Sequence, residues 1–450
     1  MGNGEFDVIV VGAGTAGTYA AYYLASHDLK VALIERKDRD EIGHKICGDA
    51  IGKHHFDNLK LNYPSGDELE GIFRGVKIVS PNEEYSLIVE GEGFAINRYE
   101  FGQRLLKMAI NAGAILYDNR HVTYPIVRNN YVVGVKALNL TNRNEELFKA
   151  KVVIDASGMA CTVRMKLPND WWITEKIKPD ETNICYREII KTENNFDTNY
   201  AIIFLSKKIA PGGYWWLFPK KSNLINIGLG VQPIDNHPNP IDQYKKYIET
   251  RSELKANEKI DAGGGVVPTR RPIYCPVGNG IIAIGDAAFT CNPIHGGGIG
   301  PSMVSAKHAA ETIIQIFNDN SEPSIKSLWP YTLKYLNDYG LKQASLDVFR
   351  MFLQKLTDED LNFAFKRKVI TGDEINIVGR TGELKLSVER KLYKALKLIS
   401  KPTILFKLRI VRNYMRRMKQ LYQKYPEKPE GFINWRNKVE SLINEFISKL

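Results

Sequence analysis

The sequence predicts an α/β chain combined with an antiparallel sheet: a discontinuous dinucleotide-binding domain, a β-sheet domain inserted into it, and a basic helical C-terminal region. Three observations carry this expectation. A strand–glycine turn–helix–strand unit opens the chain at Phe6–Glu35, glycine-rich α/β character returns at 281–300, and residues 166–274 between them alternate apolar and polar side chains. At 450 residues the chain exceeds what a single core ordinarily covers. With 44% hydrophobic and 25% charged residues its composition is globular, which excludes a disordered chain.

The first strand, Phe6–Val11, is apolar on both faces, as in a buried parallel sheet. Gly12, Gly14 and Gly17 follow in G-x-G-x-x-G spacing, with Thr15 and Ala16 inside the turn. The first glycine permits the tight turn, the second lets a pyrophosphate approach the backbone, and the third lets helix and strand pack closely. The helix over Thr18–Ser26 then points its positive dipole end at the phosphates. A second strand, Val31–Ile34, ends on Glu35, 18 residues after Gly17, where a carboxylate can accept from ribose hydroxyls. Residues 36–60 read as loop and mixed structure around Lys45–Asp49. Residues 72–96 alternate as antiparallel strands able to join the inserted sheet. Asn97 starts a helix with Phe101, Leu105, Leu106 and Ala109 on one face, and Gly113 stops it.

Residues 114–156 are strand-like and end in Asp155-Ala156-Ser157-Gly158, either a cofactor-side loop or an ordinary strand end. The stretch 166–274 holds four of the six tryptophans. The strand Ile281–Ile284 then runs into Gly285-Asp286, where Asp286 can bind a ribityl hydroxyl. Gly296–Gly300 presents backbone N–H groups at a helix start, suited to the anionic edge of a reduced flavin. From Pro301 the pattern is helical. The expected boundaries are 1–165 with 275–330, then 166–274, then 331–450.

The net charge of +11 is unevenly placed: residues 361–450 carry +13 and the rest −2. Between Lys401 and Lys419 basic and apolar residues interleave at helical spacing. This suits a helix on an anionic membrane surface or a capping helix with a solvated basic face. No nucleic-acid module is present. The five cysteines are scattered, with no C-x-x-C pair and no zinc spacing, so no metal is expected. With no secretory signal and no apolar window of membrane-spanning length, the expected setting is cytoplasmic, peripheral to the membrane.

Together these elements resemble the glutathione-reductase-type FAD fold, in the branch shared with para-hydroxybenzoate hydroxylase, over residues 6–50, 97–165 and 275–305. Two further strings, Lys45-x-Cys47-Gly48-Asp49 and Tyr214-x-Trp216-x-Phe218-Pro219 after Gly212-Gly213, resemble the geranylgeranyl reductase family. The resemblance points to the archaeal members that saturate the geranylgeranyl chains of ether lipids. Asp49 stands where many relatives have Glu. The resemblance implies FAD held by the Gly12–Gly17 turn, Glu35, Arg36, Cys47, Gly48, Ala50, Asp286, Gly297, Gly298 and Ile299. It also implies Arg98 or Arg104 at the phosphates and a backbone contact from Val122 to adenine. Tyr214, Trp216, Phe218 and Pro219, with His295, would meet the substrate. Cys47 would lie near the flavin ring, where a thiol donates a proton, shapes the pocket or only packs; Cys47, Tyr214 and Trp216 are the catalytic candidates. Tyr214, Trp216 and Phe218 share one face of a strand and can wall an apolar tunnel.

The activity implied is saturation of geranylgeranyl C=C bonds in isoprenoid lipids or their diphosphate precursors, with hydride from reduced FAD and a proton. An external donor, NAD(P)H or a reduced carrier, would supply electrons. A flavin-dependent monooxygenase and a non-catalytic lipid-binding flavoprotein are the alternatives.

Overall fold

The computed structural model describes residues 4–384 and 402–450. In chain order the strands are β1 (Glu5–Val11), β2 (Val31–Ile34), β3 (Ala50–Gly52), β4 (Leu69–Val79), β5 (Ser86–Ile96), β6 (Ile115–Tyr117), β7 (Arg120–Arg128), β8 (Tyr131–Asn139) and β9 (Glu145–Asp155). They continue with β10 (Thr182–Lys191), β11 (Tyr200–Phe204), β12 (Trp215–Pro219), β13 (Leu224–Val231), β14 (Glu258–Pro268), β15 (Val277–Gly278) and β16 (Ile281–Ala283). They form two sheets.

The first sheet runs β15-β16-β9-β1-β2-β6, with the β7–β8 hairpin attached through β9. β1 lies at its centre, parallel to β2 and β9 in the registers Val8↔Val31 and Val8↔Val152. Burial on both faces requires Val8, Ile9 and Val10 to be apolar, and each is fully buried. The second sheet runs β14-β10-β13-β12-β11-β4-β5-β3. The β4–β5 hairpin thus belongs to the same sheet as β10–β14, joined by the parallel β11–β4 pair. Residues 50–52, within the stretch read as loop and mixed structure, form its edge strand, and 53–59 form a helix. Both are too short for periodicity to reveal.

The helices are α1 (Thr15–Ala25), α2 (Lys53–Leu59), α3 (Arg98–Asn111), α4 (Pro240–Tyr247), α5 (Ile299–Asn318), α6 (Ile325–Tyr335), α7 (Leu341–Leu353), α8 (Asp358–Lys366), α9 (Gly372–Thr381), α10 (Pro402–Gln423) and α11 (Phe432–Ile447). Asn97 caps α3 by accepting from the N–H groups of Tyr99 and Glu100, and Gly113, at φ +106°, turns the chain away after it. Thr357 and Thr371 make capping boxes with Asp360 and Glu374.

Helix α10 packs its apolar residues inward. Val411, Tyr414, Met415, Met418 and Tyr422 are buried, while Arg409, Arg412 and Arg416 face out. From Leu408 onward the apolar side of the helix packs against the protein, while Phe406 near its start is exposed. Lys401 lies outside the described residues. Among those described, no helix is long and apolar enough to cross a membrane.

A buried charge network locks the second sheet to α7. Arg270 reaches Glu175 at 2.5 Å and Glu181 at 2.8 Å. Arg271 reaches Glu181 and Asp347, each at 3.0 Å, and Arg350 holds the other oxygen of Asp347 at 2.8 Å. Burial disfavours the Asp347 charge, but the Arg350 and Arg271 guanidinium groups override it and hold the pKa below the ordinary value. Removing one partner strands buried opposite charges. Asp347→Asn is therefore expected to destabilise the protein by about 3–5 kcal/mol, measured by urea unfolding; a change within experimental error would show the network to be energetically neutral.

Candidate functional site

One cavity of about 1620 Å³ runs from the glycine turn of the first sheet, along the second sheet, to the C-terminal helices. Its head is built by the loop between β1 and α1. Gly12 adopts φ +101°, and a Cβ there would sit 2.7 Å from the Ala156 carbonyl. A Cβ on Gly17 would lie 1.8 Å from the Gly12 oxygen, so strand and helix meet only through glycine. Gly14 has nothing within 4 Å and fronts the open cavity. Glu35 accepts from the Ala13 N–H at 2.7 Å and the Lys37 N–H at 3.0 Å, which fixes both the turn and the carboxylate.

Arg98 donates through Nη2 to the Thr15 hydroxyl at 3.0 Å, yet its buried Nε and Nη1 have no hydrogen-bond partner among the described residues. Two orphaned guanidinium donors beside a helix N-terminus and an open glycine backbone fit a pyrophosphate. Arg36, Val122, Ala16, Ala50, Asp286 and the Gly297–Ile299 turn line the same cavity. Lys45 pairs with Asp286 at 3.5 Å, and a Cβ on Gly298 would lie 3.4 Å from that carboxylate.

Two expectations are corrected, and one left open is decided. Arg104 does not reach the cavity: it pairs with Glu68 at 2.7 Å and lines a separate cleft. Pro219 ends β12 inside the protein and is absent from the cavity wall. Asp155 is fully buried, and its carboxylate accepts from the N–H groups of Ser157, Val163 and Arg164 and from the Ser157 hydroxyl. It anchors the turn from within, while Ala156, Ser157 and Gly158 of the same loop line the cavity, the cofactor-side alternative of the two left open.

The next stretch is aromatic. Tyr214, just before β12, and Trp216 and Phe218 on one face of it line the cavity, with ring centroids 6.1 and 6.2 Å apart. The opposite face sends Trp215 into a separate core, stacked 3.6 Å from Phe204. Glycine makes room for the aromatic row: a Cβ on Gly48 would lie 2.9 Å from Phe218, and one on Gly228 2.6 Å from Trp216. The Tyr214 hydroxyl donates to the His295 carbonyl at 2.6 Å.

Cys47 lies on the wall facing these rings. Burial pushes the Cys185 thiol up to about 12, with Cys47 adding to the shift, and drives Cys291 well above its ordinary value. Both therefore stay protonated. The described residues hold no cluster able to bind a metal.

Asn226, unremarked from the sequence, joins the two walls. It is fully buried; its Nδ2 donates to the Cys47 carbonyl and to Asp49 Oδ2, each at 2.8 Å, and its Oδ1 accepts from Trp216 Nε1 at 2.9 Å. Asp49 sits at φ +61° and also pairs with Lys220 at 2.8 Å. Burial opposes the Lys220 charge, but Asp49 and Glu70 outweigh it and raise its pKa. The sequence signal was one polar residue in the apolar run Leu224–Val231. Beyond the aromatic row the wall is Ile203 and Leu205 on one side and Phe349, Leu353, Leu361 and Leu408 from the C-terminal helices on the other.

Residues 181–267 match the geranylgeranyl reductase catalytic domain, and residues 3–167 match the Thi4 family. Over 448 residues, 99% of each chain, the sequence is 40% identical to a digeranylgeranylglycerophospholipid reductase of Sulfolobus acidocaldarius. The chain belongs to the geranylgeranyl reductase family. A digeranylgeranylglycerophospholipid reductase of Methanosarcina acetivorans is 31% identical over 370 residues, 79% of this chain and 87% of that one. In fold, this family member is similar to a geranylgeranyl bacteriochlorophyll reductase-like protein of Thermoplasma acidophilum, with TM-score 0.75 and 24% identity over 90% and 99% of the two chains. It is similar also to a flavin-dependent brominase, with TM-score 0.65 and 17% identity over 87% and 98%. The mixed α/β sheets and helical C-terminal region are thus the fold of flavin-dependent reductases and halogenases.

Asn226→Ala removes three hydrogen bonds and leaves Trp216 Nε1 and the Asp49 carboxylate short of partners. It is expected to cost about 3 kcal/mol and to red-shift tryptophan emission, read by urea unfolding and fluorescence. Unchanged values would show that the two walls hold together without it.

Enclosure by the cavity walls holds His295 down to about 4, with Lys342 adding to the effect, although its ring opens onto the cavity. The unfolded chain takes that proton near 6.5, the folded one only near 4. This contribution to stability is full above 6.5, falls as the pH drops from 6.5 to 4, and levels off below. Melting temperatures at pH 4.5 and 7 should therefore differ less in His295→Gln than in the wild type.

Proposed function

We propose that this chain is an FAD-dependent reductase that saturates the C=C bonds of geranylgeranyl chains in archaeal-type ether lipids. The observation that carries the reading is the continuous cavity: a dinucleotide-shaped head, an aromatic middle and an apolar tail, in that order. The first sheet with α1, α3 and α5 is the FAD domain, divided in sequence by the strands of the second sheet, which with the C-terminal helices enclose the substrate.

The Gly12–Gly17 turn and Arg98 hold the pyrophosphate, Glu35 the adenosine ribose, Asp286 the ribityl chain, and Gly297–Ile299 the pyrimidine edge. When bound and reduced, FAD supplies a hydride to one alkene carbon. The aromatic face of Tyr214, Trp216 and Phe218 keeps the alkene in register and keeps water out. Cys47 faces the same space with its thiol, and Asn226 fixes its backbone, so a proton can be delivered to the second carbon from a set position. Tyr214 is the poorer donor, since burial raises its pKa and its hydrogen is given to the His295 carbonyl.

Purified protein reduced with dithionite should saturate a geranylgeranyl diether lipid without oxygen, adding the mass of two hydrogens per double bond. Mass gain only in the presence of oxygen would overturn the reading in favour of a monooxygenase. Arg98→Met should lose most bound FAD while remaining folded. Trp216→Ala, checked for full FAD content, should keep the cofactor and lose turnover; wild-type rates would make the aromatic row mere core.

A further inference from the structure

Where the start of α7 meets the 295–300 turn, the cavity has a charged corner. Lys342 lies in the first turn of α7, and Leu346, Phe349 and Leu353 follow it on the same helical face along the cavity wall. Its Nζ is 4.5 Å from the centroid of the Tyr339 ring, and no carboxylate among the described residues lies within ion-pairing distance. Arg380, in the last turn of α9, faces the same cavity and is likewise without an acidic partner among the described residues. The end of α9 rests on the start of α7, so closely that a Cβ on Gly382 would lie 3.0 Å from Lys342 Cα.

From the facing helix α2, His54 and His55 line the same corner with rings 4.0 Å apart. The His55 ring lies flush against Gly300. The acids nearby are taken: Asp57 by Lys53 and Tyr63, and Asp338 by His308 at 2.9 Å. At the rim, Glu92 is a mostly exposed partner of Lys53 at 4.0 Å, and Glu90 is exposed. Burial lowers the Lys342 pKa; Asp338 opposes the shift and Arg380 adds to it. Burial likewise lowers that of His54, with Lys342 adding. Lys342 is partly buried and Arg380 exposed; two cations that repel one another at a cavity mouth without acidic partners among the described residues attract an anion, which relieves that repulsion.

We propose that Lys342 and Arg380, with His54 beside them, bind the phosphate ester of an amphipathic lipid whose chains lie along Leu346, Phe349 and Leu353. This rests on the reading of the tunnel as a prenyl-chain site. Two sources share this chemistry, a phosphate on a glycerol diether and the diphosphate of a free prenyl chain, and the helix face alone leads from the cations to the apolar wall for either.

The test uses FAD-loaded full-length protein and three substrates: geranylgeranyl diether phosphate, geranylgeranyl diphosphate and the uncharged geranylgeranyl diether alcohol. In the double variant Lys342→Gln, Arg380→Gln, KM for the phosphorylated substrate should rise about tenfold or more, with kcat little changed and the alcohol unaffected. The double variant Lys342→Arg, Arg380→Lys should keep near wild-type KM. Whichever phosphorylated substrate suffers identifies the source. Titration of the oxidised proteins with the same lipids, followed by tryptophan fluorescence, should show the same loss without any turnover. Equal effects on charged and uncharged lipids, or none, overturn the proposal. Phosphate-dependent binding in a wild type that saturates none of the lipids would uphold the subsite and overturn the reductase reading instead.

Discussion

Asn226 holds the two halves of the site in one geometry. A single buried carboxamide accepts from Trp216 on β12 and donates to the backbone of Cys47 and the carboxylate of Asp49 on the connection to β3. An amide is suited to this because it offers an acceptor and two donors on one rigid plane. The Asp49 backbone, at φ +61°, is a conformation that a non-glycine residue holds only when its surroundings over-determine it. Lys220 completes those surroundings by pairing with the buried Asp49 carboxylate, and Glu70 holds Lys220 from its other side. The thiol wall and the aromatic wall are thereby spaced by hydrogen bonds within the protein.

Glycine plays the complementary part. Where Asn226 pulls the walls together, Gly48 and Gly228 let the Phe218 and Trp216 rings come within contact of the backbone. Gly12 and Gly17 do the same where β1, α1 and the loop after β9 converge. At Gly14 no side chain projects and the cavity stays open. Its outline is set as much by missing Cβ atoms as by the residues that line it.

The C-terminal region closes the tunnel from the far side. The Arg270–Glu181–Arg271–Asp347–Arg350 network fixes α7 against the end of the second sheet, and this orients the face bearing Lys342, Leu346, Phe349 and Leu353. Helix α10 then buries its own apolar side against that layer. Its surplus of arginine therefore reaches solvent as the outer surface of a lid. Interleaved basic and apolar residues describe an amphipathic helix equally well whether its apolar side meets lipid or protein.

The sequence alone determined the chemistry that is local in the chain. The Gly12–Gly17 turn with Glu35, the Gly285-Asp286 turn and the alternating Tyr214, Trp216 and Phe218 each draw their meaning from short-range spacing: the pitch of a turn or the two-residue repeat of a strand. Tertiary structure decided what depends on contacts distant in sequence. It gave Arg98, not Arg104, the free donors, because Glu68 lies beside only the second. It made Asp155 a turn anchor, because three N–H groups converge on it. It drew residues 50–52 and 69–96 into the second sheet through the parallel β11–β4 pair. It also brought Asn226 to Cys47 and Lys342 to Arg380. Hydrogen bonds and ion pairs of this kind leave no periodicity in a sequence; they exist only once the two sheets and the helical layer have closed around the same space.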